Sequence, residues 1–353
     1  MRALFIKLTS MGDLIHALPA LTDASRAIPG LSFDWVIEKS FADVAKWHPA
    51  VNKIIPTSHR KWRKNFWQSL KNKEIQTFLS SVREERYDLV IDGQSSLKSA
   101  AVTLLAKGVR HGLDRVSSRE RLVSLAYQKR HFAHRNLHAI TRLRLLFAGA
   151  FNYPYPNTPP DYGIKDYPFP ALSFELPKRY LVFVHNASWP TKMWPEQAWR
   201  ELVTIAGNAG FNVLLPWGNK AEEERAMHIC QGLANAQVLP FCTLSEQARI
   251  LLGSAGAICS DTGLSHLAAA LNVPAITLYG PTSKDLTGTI GLHQQHLVSP
   301  FVCTLCYRHR CHYGNEVHAE PLCMLEITPQ LLWDRFKDLL ASIQPKPQSN
   351  PPY

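Results

Sequence analysis

A glycine and an aspartate stand at a predicted strand-to-helix turn near the start of the chain. The segment Leu8–Asp13 follows a short apolar run directly and precedes an amphipathic helical pattern. Such a turn lies at the carboxyl end of a strand, where open α/β sheets bind their ligands. Gly12 permits the tight turn, and Asp13 then falls in the first helical turn and faces the cleft. Asp13 is therefore a candidate for catalysis, although capping the helix or complementing its dipole is the commoner role of an aspartate there.

A second turn of the same kind carries the tripeptide Asp261-Thr262-Gly263 between a buried strand and a helix. Backbone N–H groups of Thr262 and Gly263, the Thr262 hydroxyl and the positive end of the helix are typical of a diphosphate-binding site. His266 lies about one turn further along the same helix and could point at the same anion. A lone helical histidine is more often structural. The spacing of His266 from the tripeptide gives a binding role the same weight as a structural one. No G-x-G-x-x-G motif occurs in the first turn, which disfavours a dinucleotide-dependent oxidoreductase.

A third group of residues follows two other predicted strands of the second half. Ala187, Ser188 and Lys192 come after one strand, and Glu222 comes after the next. A lysine beside the diphosphate site supplies a positive point charge, and a carboxylate at a neighbouring strand end is placed to accept hydrogen bonds from ribose hydroxyls. The alternative is that Lys192 and Glu222 belong to surface ion pairs.

Four cysteines late in the chain are spaced closely enough to suggest a metal site; they are Cys303, Cys306, Cys311 and Cys323. Four thiols could hold zinc tetrahedrally in a small, loop-rich knuckle. The alternative is reduced cysteines that pack a loop, and the spacing fits no standard zinc finger. We therefore expect no metal here, and a structural role for zinc if it is present.

The chain is strongly basic, with a formal net charge of +11 and a pI near 9.3, which predicts an anionic partner. One basic cluster interleaves aromatic side chains and contains Arg60, Lys61, Trp62, Arg63, Lys64, Phe66, Trp67, Lys71 and Lys73. A second basic region, between Lys107 and Arg144, is opposed only by Asp114 and Glu120. Cations mixed with exposed aromatic rings favour a lipid headgroup boundary. The alternative is a solvated basic face without a partner.

The length of 353 residues and the hydrophobic content of 46% indicate two domains of about 150 to 170 residues each. Apolar runs alternating with helical patterns predict parallel sheets built from βαβ units. The predicted strands are Ala3–Lys7, Phe33–Glu38, Leu89–Asp92, Tyr180–His185, Asn212–Pro216, Gln237–Pro240, Gly256–Ser260 and Ala275–Tyr279. A proline-rich stretch, 154–177, is the predicted linker. We expect domains over residues 1–165 and 166–330, and a helix with a disordered tail over residues 331–353.

No run approaches the roughly 18 apolar residues that a membrane span requires, and Lys7, Gly12 and Asp13 interrupt the only candidate for a signal-peptide core. Seven cysteines, an odd number, do not indicate a disulfide framework. We therefore expect a cytoplasmic protein.

Segments in both halves closely resemble glycosyltransferase family 9, the heptosyltransferases of lipopolysaccharide synthesis, and especially the members that add the first heptose. These segments are Met1–Lys7, Ser10–Asp13, His16–Ala24, Phe33–Val36, Trp47–Val51, Trp62–Lys64, Leu97–Ala100, Leu215–Gly218 and Asp261–His266. The resemblance extends to about Thr282. Agreement across both halves is far more specific than any one motif.

The resemblance implies an α/β GT-B fold, in which two Rossmann-like domains with parallel sheets face a central cleft. The N-terminal domain would bind the acceptor and the C-terminal domain the ADP-sugar. It also implies that Asp13 is the general base of an inverting transfer. The family's donor-binding positions correspond to Ala187, Ser188, Lys192, Glu222, Cys242, Asp261, Thr262, Gly263 and His266. Ala187 replaces the usual hydroxyl residue, which leaves its backbone N–H, and Cys242 would contact adenine through its backbone.

The implied reaction moves heptose from ADP-heptose to Kdo of Kdo2-lipid A, without a cofactor. The basic residues expected to hold this acceptor at the anionic inner membrane surface are Arg60, Lys61, Arg63, Lys64 and Arg119. The cysteine-rich segment is a departure, since it looks more like other family members than like the first-heptose enzymes. The alternatives are a family 9 transferase for a second heptose or another core sugar, and a non-catalytic protein that binds nucleotide sugars or nucleic acid. Asp13 distinguishes a transferase from the non-catalytic protein, because a protein that only binds needs no carboxylate opposite its anion site. Nucleic acid is not the expected partner.

Overall fold

The computed structural model describes residues 1–313, 316–318 and 320–343. The chain divides into two compact units: unit 1 comprises residues 1–168 with 285–287, and unit 2 comprises residues 169–284 with those from 288 onward. The predicted disordered tail beyond Ile343 lies outside the described residues. Among the residues that are described, no helix has both the length and the apolar run needed to cross a bilayer.

Unit 1 contains a six-stranded sheet and eight helices, with 3₁₀ turns at Lys39–Phe41 and Arg121–Ala126. The strands are β1 (Arg2–Ile6), β2 (Ser32–Glu38), β3 (Val51–Thr57), β4 (Arg86–Asp92), β5 (Lys107–Leu113) and β6 (Lys129–His131). The helices are α1 (Met11–Ile15), α2 (Leu18–Ala27), α3 (Ala42–Lys46), α4 (His59–Lys64), α5 (Phe66–Lys71), α6 (Glu74–Glu84), α7 (Leu97–Leu105) and α8 (Ala139–Phe151).

The second half of the chain contains a second six-stranded sheet, a small hairpin and a 3₁₀ turn at Pro190–Lys192. Its strands are β7 (Tyr180–Val184), β8 (Asn212–Leu215), β9 (Ala236–Val238), β10 (Gly256–Ser260), β11 (Ala275–Tyr279), β12 (Gln294–Val298), β13 (Cys311–Tyr313) and β14 (Glu316–His318). Its helices are α9 (Glu196–Asn208), α10 (Lys220–Cys230), α11 (Leu244–Gly253), α12 (Gly263–Ala270), α13 (Lys284–Thr287), α14 (Leu322–Leu325) and α15 (Pro329–Ile343).

Both large sheets are parallel, which confirms the predicted fold class. The strand order is β3-β2-β1-β4-β5-β6 in unit 1 and β12-β11-β10-β7-β8-β9 in unit 2. The apolar strands β1, β7 and β10 lie in the interior of their sheets. Nearly all of their side chains are buried, as expected for parallel strands that helices cover on both faces. The turns after these three strands therefore emerge near the middle of the carboxyl edge of each sheet.

The eight predicted strands are present, with ends that differ by a few residues. Sequence reasoning missed β3, β5, β6 and β12 within the two large sheets. Three of these are edge strands, and all four carry polar residues or proline, as in the β3 sequence VNKIIPT and the β12 sequence QQHLV. An edge strand is partly solvated and so lacks the continuous apolar run by which a buried parallel strand is recognised.

Helix α15 belongs to the core of unit 2. Its Trp333 and Phe336 side chains are buried in one cluster with Trp194 and Trp199, whose rings meet edge to face at 5.1 Å between centroids. Packing against α9 thus fixes α15 in the core of unit 2.

A buried ion pair fastens α2 to α8 in unit 1. Arg144 Nε lies 2.6 Å from Asp23 Oδ2, and both side chains are about 95% buried, with relative exposures of 4% and 5%. The same guanidinium donates to the carbonyl oxygens of Thr158 at 2.9 Å and Pro156 at 3.3 Å. One arginine therefore ties two helices to the segment that follows them.

We predict that Arg144→Met lowers the free energy of unfolding by about 3 to 5 kcal/mol, because it leaves the Asp23 carboxylate buried without its counter-ion. Urea denaturation followed by tryptophan fluorescence measures this loss. The matched control is Arg26→Met, which breaks the exposed pair between Arg26 and Asp161 and should cost about 1 kcal/mol or less. Equal losses in the two variants would contradict the structural role of Arg144.

Candidate functional site

Asp13 lies in the short helix α1, immediately beyond the carboxyl end of β1. Its Oδ2 accepts hydrogen bonds from the backbone N–H and the hydroxyl of Ser10, both at 2.9 Å. The capping role that the sequence allowed is therefore real. The carboxylate also lines an open cleft of unit 1, so capping and a chemical role are compatible.

The Asp13 cleft is strongly cationic; among its lining residues are Lys7, His16, Arg119, Arg135 and Arg142. Burial lowers the pKa of Lys7, and the guanidinium groups of Arg142 and Arg119 lower it further, while the carboxylates of Asp13 and Asp92 oppose this shift. Lys7 Nζ donates to the Gly93 carbonyl at 3.0 Å. Several cations thus converge on one carboxylate, an arrangement that can bind an anionic ligand and hold a proton acceptor beside it.

Two arginines of this cleft were not singled out from the sequence. Arg142 donates to the Ser117 carbonyl at 2.5 Å, and Arg135 donates to the Ser118 carbonyl. Burial lowers the pKa of Arg142, with a further contribution from the neighbouring Arg135. The two side chains brace the loop after β5 and bring positive charge to the cleft. Both occur in the long basic region, where sequence alone does not show which cations face inward.

The structure separates the five basic residues predicted to bind the acceptor. Arg119 lines the Asp13 cleft, whereas Lys61, Arg63 and Lys64 lie on α4 and are exposed. Lys61 pairs with Glu74 at 2.6 Å. Arg60 lies on the same helix, and its side chain is outside the described part of the structure. Helix α4 follows β3, so its start and the Asp13 turn share the carboxyl edge of the sheet.

The aromatic residues of the first basic cluster, which spans α4 and α5, do not all face solvent. The Trp62 ring packs against Phe78 at 5.3 Å between centroids, and its N–H donates to Glu74 Oε2 at 3.2 Å. Trp67, in contrast, is 79% exposed. The expectation that the rings are exposed was therefore wrong for Trp62, because its indole covers the apolar face of α6.

In unit 2, the predicted diphosphate-binding residues surround one carboxylate. Asp261 Oδ2 accepts from Lys192 Nζ and from Thr282 Oγ1, both at 2.6 Å. Its other oxygen lies 3.9 Å from Nε2 of His266, on α12. Residues from the turns after β7, β10 and β11 thus meet at the carboxyl edge of the second sheet.

The sequence left open whether Lys192 belongs to the diphosphate site or to an ion pair, and its pairing with Asp261 combines the two. Lys192 is in an ion pair, but one inside the candidate site, where the relative exposures of the two side chains are 16% and 6%. The Asp261 carboxylate thus holds the Lys192 ammonium inside the candidate site. The Lys192 ammonium also lies 4.9 Å from the ring centroid of Trp189. The ring centroids of Trp189 and His309 are 4.0 Å apart. Trp189 and His309 were not predicted from the sequence.

Thr262 and Gly263 begin α12, as predicted from the sequence. The Thr262 N–H donates to Ser265 Oγ at 3.4 Å, and the Ser265 hydroxyl donates back to the Thr262 carbonyl at 2.6 Å. These bonds fix the first turn of the helix, whose N–H groups carry a partial positive charge. The turn can therefore contribute to anion binding beside Lys192.

The remaining predicted residues lie farther along the same edge of the second sheet. Ala187 and Ser188 occur in the loop between β7 and Lys192, Glu222 lies in the first turn of α10 after β8, and Cys242 follows β9. The distance from β10 to β9 spans three strand spacings, about 14 Å. The edge thus offers an elongated row of loops, with the charged cluster near its middle.

Two of these side chains have local partners. Glu222 Oε2 accepts from the Gly218 N–H at 2.8 Å, which closes the turn before α10. Burial raises the pKa of the Cys242 thiol to about 11, and its Sγ lies 3.2 Å from the Pro240 carbonyl oxygen as a donor. Cys242 is therefore a packed side chain, and its backbone carbonyl accepts from Gln247 Nε2 at 3.1 Å.

The four late cysteines gather around the hairpin of β13 and β14. Burial raises the pKa of Cys323 to about 12, and the nearby thiols of Cys303, Cys306 and Cys311 contribute to the shift. All four are free thiols. Among the described residues, no three His, Cys, Asp or Glu side chains are arranged to hold a metal ion.

Comparisons with known proteins agree with this geometry. The model of glycosyltransferase family 9 (heptosyltransferase) matches residues 75–316. The lipopolysaccharide heptosyltransferase 1 of Pseudomonas aeruginosa is 45% identical, over 97% of this chain and 99% of its own. The lipopolysaccharide heptosyltransferase 2 of Escherichia coli is 29% identical, over 74% of this chain and 77% of its own.

Two solved structures show the same likeness in three dimensions. The E. coli heptosyltransferase WaaC with ADP has a TM-score of 0.84 and 40% identity, covering 96% of this chain and all of that one. The same enzyme with ADP-2-deoxy-2-fluoro heptose has a TM-score of 0.80 and 39% identity, covering 96% of this chain and 99% of that one. With a family model that spans more than half of its length and a relative of this identity over nearly all of it, the chain belongs to glycosyltransferase family 9, the heptosyltransferases.

Proposed function

We propose that this glycosyltransferase moves heptose from ADP-heptose to Kdo of Kdo2-lipid A, with inversion at the anomeric carbon. The observation that carries the proposal is a single carboxylate, Asp13, set among cations in unit 1, together with Lys192 and the N-terminus of α12 at one edge of the sheet in unit 2. The acceptor has anionic carboxylates and phosphates, and the donor has a diphosphate, so the charges of both sites are complementary to the substrates. The higher identity to a type 1 than to a type 2 heptosyltransferase favours addition of the first heptose.

In the proposed reaction Asp13 takes the proton from the attacking Kdo hydroxyl as its oxygen bonds to the anomeric carbon. The bond from that carbon to the diphosphate oxygen breaks, and ADP leaves with the electron pair. Lys192, the N-terminus of α12 and His266 offset the charge that grows on the diphosphate. The hydrogen bonds from Ser10 hold the Asp13 carboxylate in place for the transfer of the proton.

The remaining residues have supporting roles in this proposal. Ala187 and Ser188 contact the diphosphate from the loop after β7, Glu222 accepts from the ribose, and the Cys242 backbone contacts adenine. Arg119, together with the α4 residues Arg60, Lys61, Arg63 and Lys64, attracts the acceptor at the cytoplasmic surface of the inner membrane. Arg135 and Arg142 join Arg119 as candidate partners of the acceptor's carboxylates.

A second candidate is transfer of a second heptose or another core sugar by the same machinery. The cysteine-rich segment favours this second candidate, because its sequence resembles other family 9 members more than the first-heptose enzymes. The choice of acceptor separates the two candidates, since each requires a different sugar beside Asp13.

We predict that Asp13→Asn lowers turnover by roughly 10²- to 10⁴-fold, the range for loss of a general base, while the dissociation constant for ADP stays near that of the wild type. Asparagine can still accept the hydrogen bonds from Ser10, so the variant tests chemistry rather than capping. The assay is mass spectrometry of heptosylated Kdo2-lipid A. Asp43→Asn, at a surface ion pair with Lys46, is the matched control. Turnover within threefold of wild type in Asp13→Asn would remove Asp13 from the mechanism.

We predict that Lys192→Ala weakens ADP binding by about 1.5 to 3 kcal/mol, measured by calorimetry. The effect includes repulsion, because the variant leaves the Asp261 carboxylate without its cation beside the diphosphate. The double variant Lys192→Ala/Asp261→Asn should therefore recover part of the lost affinity. Lys220→Ala, which removes an exposed lysine paired with Glu223, is the control. An unchanged dissociation constant in Lys192→Ala would place the lysine outside the donor site.

We propose that the four late cysteines are reduced thiols of a packed loop rather than metal ligands. The observation that supports this is the packing of Cys323, whose side chain is 4% exposed and belongs to the hydrophobic core of unit 2 with Met324 and Phe336. We predict that elemental analysis of protein purified without a histidine tag finds no stoichiometric zinc, and that a chelator leaves the melting temperature unchanged. About one equivalent of zinc per chain, with a lower melting temperature after chelation, would contradict this prediction.

A further inference from the structure

The 3₁₀ turn Arg121–Ala126 of unit 1 exposes an apolar ridge that the fold does not use. A 3₁₀ helix has three residues per turn, so residues three apart share a side. Val123 and Ala126 form the inner side and are buried with Ala100 and Tyr127. Leu122 and Leu125 form the outer side, the apolar ridge, and are 68% and 74% exposed. The core is therefore complete without these two leucines.

Two further apolar side chains border the ridge. Leu97 is 61% exposed, and its backbone N–H donates to Glu120 Oε2 at 3.1 Å, which holds it beside the start of the turn. Phe132 is 62% exposed and follows β6, which Arg130 fastens to the turn through a 2.9 Å bond to the Ser124 carbonyl. Two leucines on one ridge, with apolar neighbours held on both sides, form a patch rather than scattered surface residues.

Cations surround this patch. Arg115, Arg119, Arg121, Lys129 and Arg130 are all exposed. The only acidic residues of the region, Asp114 and Glu120, each accept a backbone N–H, from Ser117 at 2.8 Å and from Leu97 respectively. The surface thus pairs an apolar centre with an excess of positive charge, which is the composition that binds anionic lipid headgroups and the acyl boundary beneath them.

We infer that the apolar ridge is a membrane-docking element: Leu122 and Leu125 insert at the headgroup boundary of an anionic phospholipid bilayer, and the surrounding cations contact phosphates. A second copy of this chain fits less well, because a symmetric contact would bring the same cations against each other. The inference rests on the proposed function in one respect. Arg119 belongs both to the cationic border and to the Asp13 cleft, so docking here would bring the cleft to the sugar of a lipid-anchored acceptor.

The test is co-flotation of the full chain with vesicles of equimolar phosphatidylcholine and phosphatidylglycerol that contain no acceptor. Wild type should bind these vesicles and bind vesicles of phosphatidylcholine alone much more weakly. Leu122→Ser/Leu125→Ser should bind the anionic vesicles roughly ten- to a hundredfold more weakly, as expected when two leucines no longer enter the boundary. Both substitutions are at exposed positions outside the core, and an unchanged melting temperature checks folding.

The control variant is Met227→Ser/Leu292→Ser, which removes two exposed apolar side chains of unit 2, at 49% and 70% exposure. It should bind vesicles like the wild type. Equal loss in both double variants, or binding within twofold of wild type in Leu122→Ser/Leu125→Ser, would overturn the inference. The inference would also be overturned if the wild type did not bind vesicles but formed a dimer that Leu122→Ser/Leu125→Ser cannot form.

A water-soluble acceptor without acyl chains distinguishes this inference from the proposed function. Leu122→Ser/Leu125→Ser should transfer heptose to that acceptor within twofold of the wild-type rate, while losing activity on acceptor embedded in vesicles. Equal loss on both acceptors would mean that the ridge acts on the active site rather than on the bilayer. Failure of the wild type to use either acceptor would contradict the proposed function, whereas the vesicle measurement would still decide the ridge.

Discussion

Parallel strand pairing is the constraint on which both candidate sites depend. When all strands of a sheet run the same way, every loop that follows a strand emerges at one edge. In unit 1 this brings the Asp13 turn after β1 to the same edge as the segments after β4 and β5, which supply Gly93 and Ser117 to the cleft. In unit 2 it brings together the turns after β7, β10 and β11. Parallel strand pairing alone therefore places residues that are far apart in sequence close enough to contact one ligand.

Within that constraint, the charge of the two sites is organised in different ways. In unit 2 the positive charge of Lys192 is held by Asp261, a pair that is neutral as a unit until an anion competes for the lysine. In the Asp13 cleft of unit 1 the cationic side chains outnumber the carboxylates, and Lys7 Nζ is buried and donates to the Gly93 carbonyl oxygen. Burial of Lys7 costs free energy that its neighbours Asp13 and Asp92 partly offset. Under the proposed function, the first arrangement suits release of charged ADP after each turnover, and the second suits capture of a polyanionic acceptor.

The sequence was sufficient for the fold class and for the turns that carry Asp13 and the Asp261–Gly263 segment. Each of those turns follows an apolar strand buried on both faces, and such strands have a strong local signal. The polar edge strands β3 and β12 have no such signal and were missed. The Lys192–Asp261 pair joins residues 69 positions apart, so only the strand order, in which β10 lies beside β7, could reveal it. Arg135 and Arg142 were hidden in a long basic region, because the rotation of α8 and the path of the preceding loop decide which cations reach the cleft.

In the proposed reaction, Asp13 and the cations around it act on the Kdo of an acceptor that has no heptose yet. Product analysis tests this after incubation of the purified protein with ADP-heptose and equal amounts of Kdo2-lipid A and its monoheptosylated form. We expect Kdo2-lipid A to gain one heptose of inverted anomeric configuration and the monoheptosylated acceptor to stay unchanged. Consumption of the monoheptosylated acceptor alone, or a product that retains the donor's configuration, would contradict the proposed reaction.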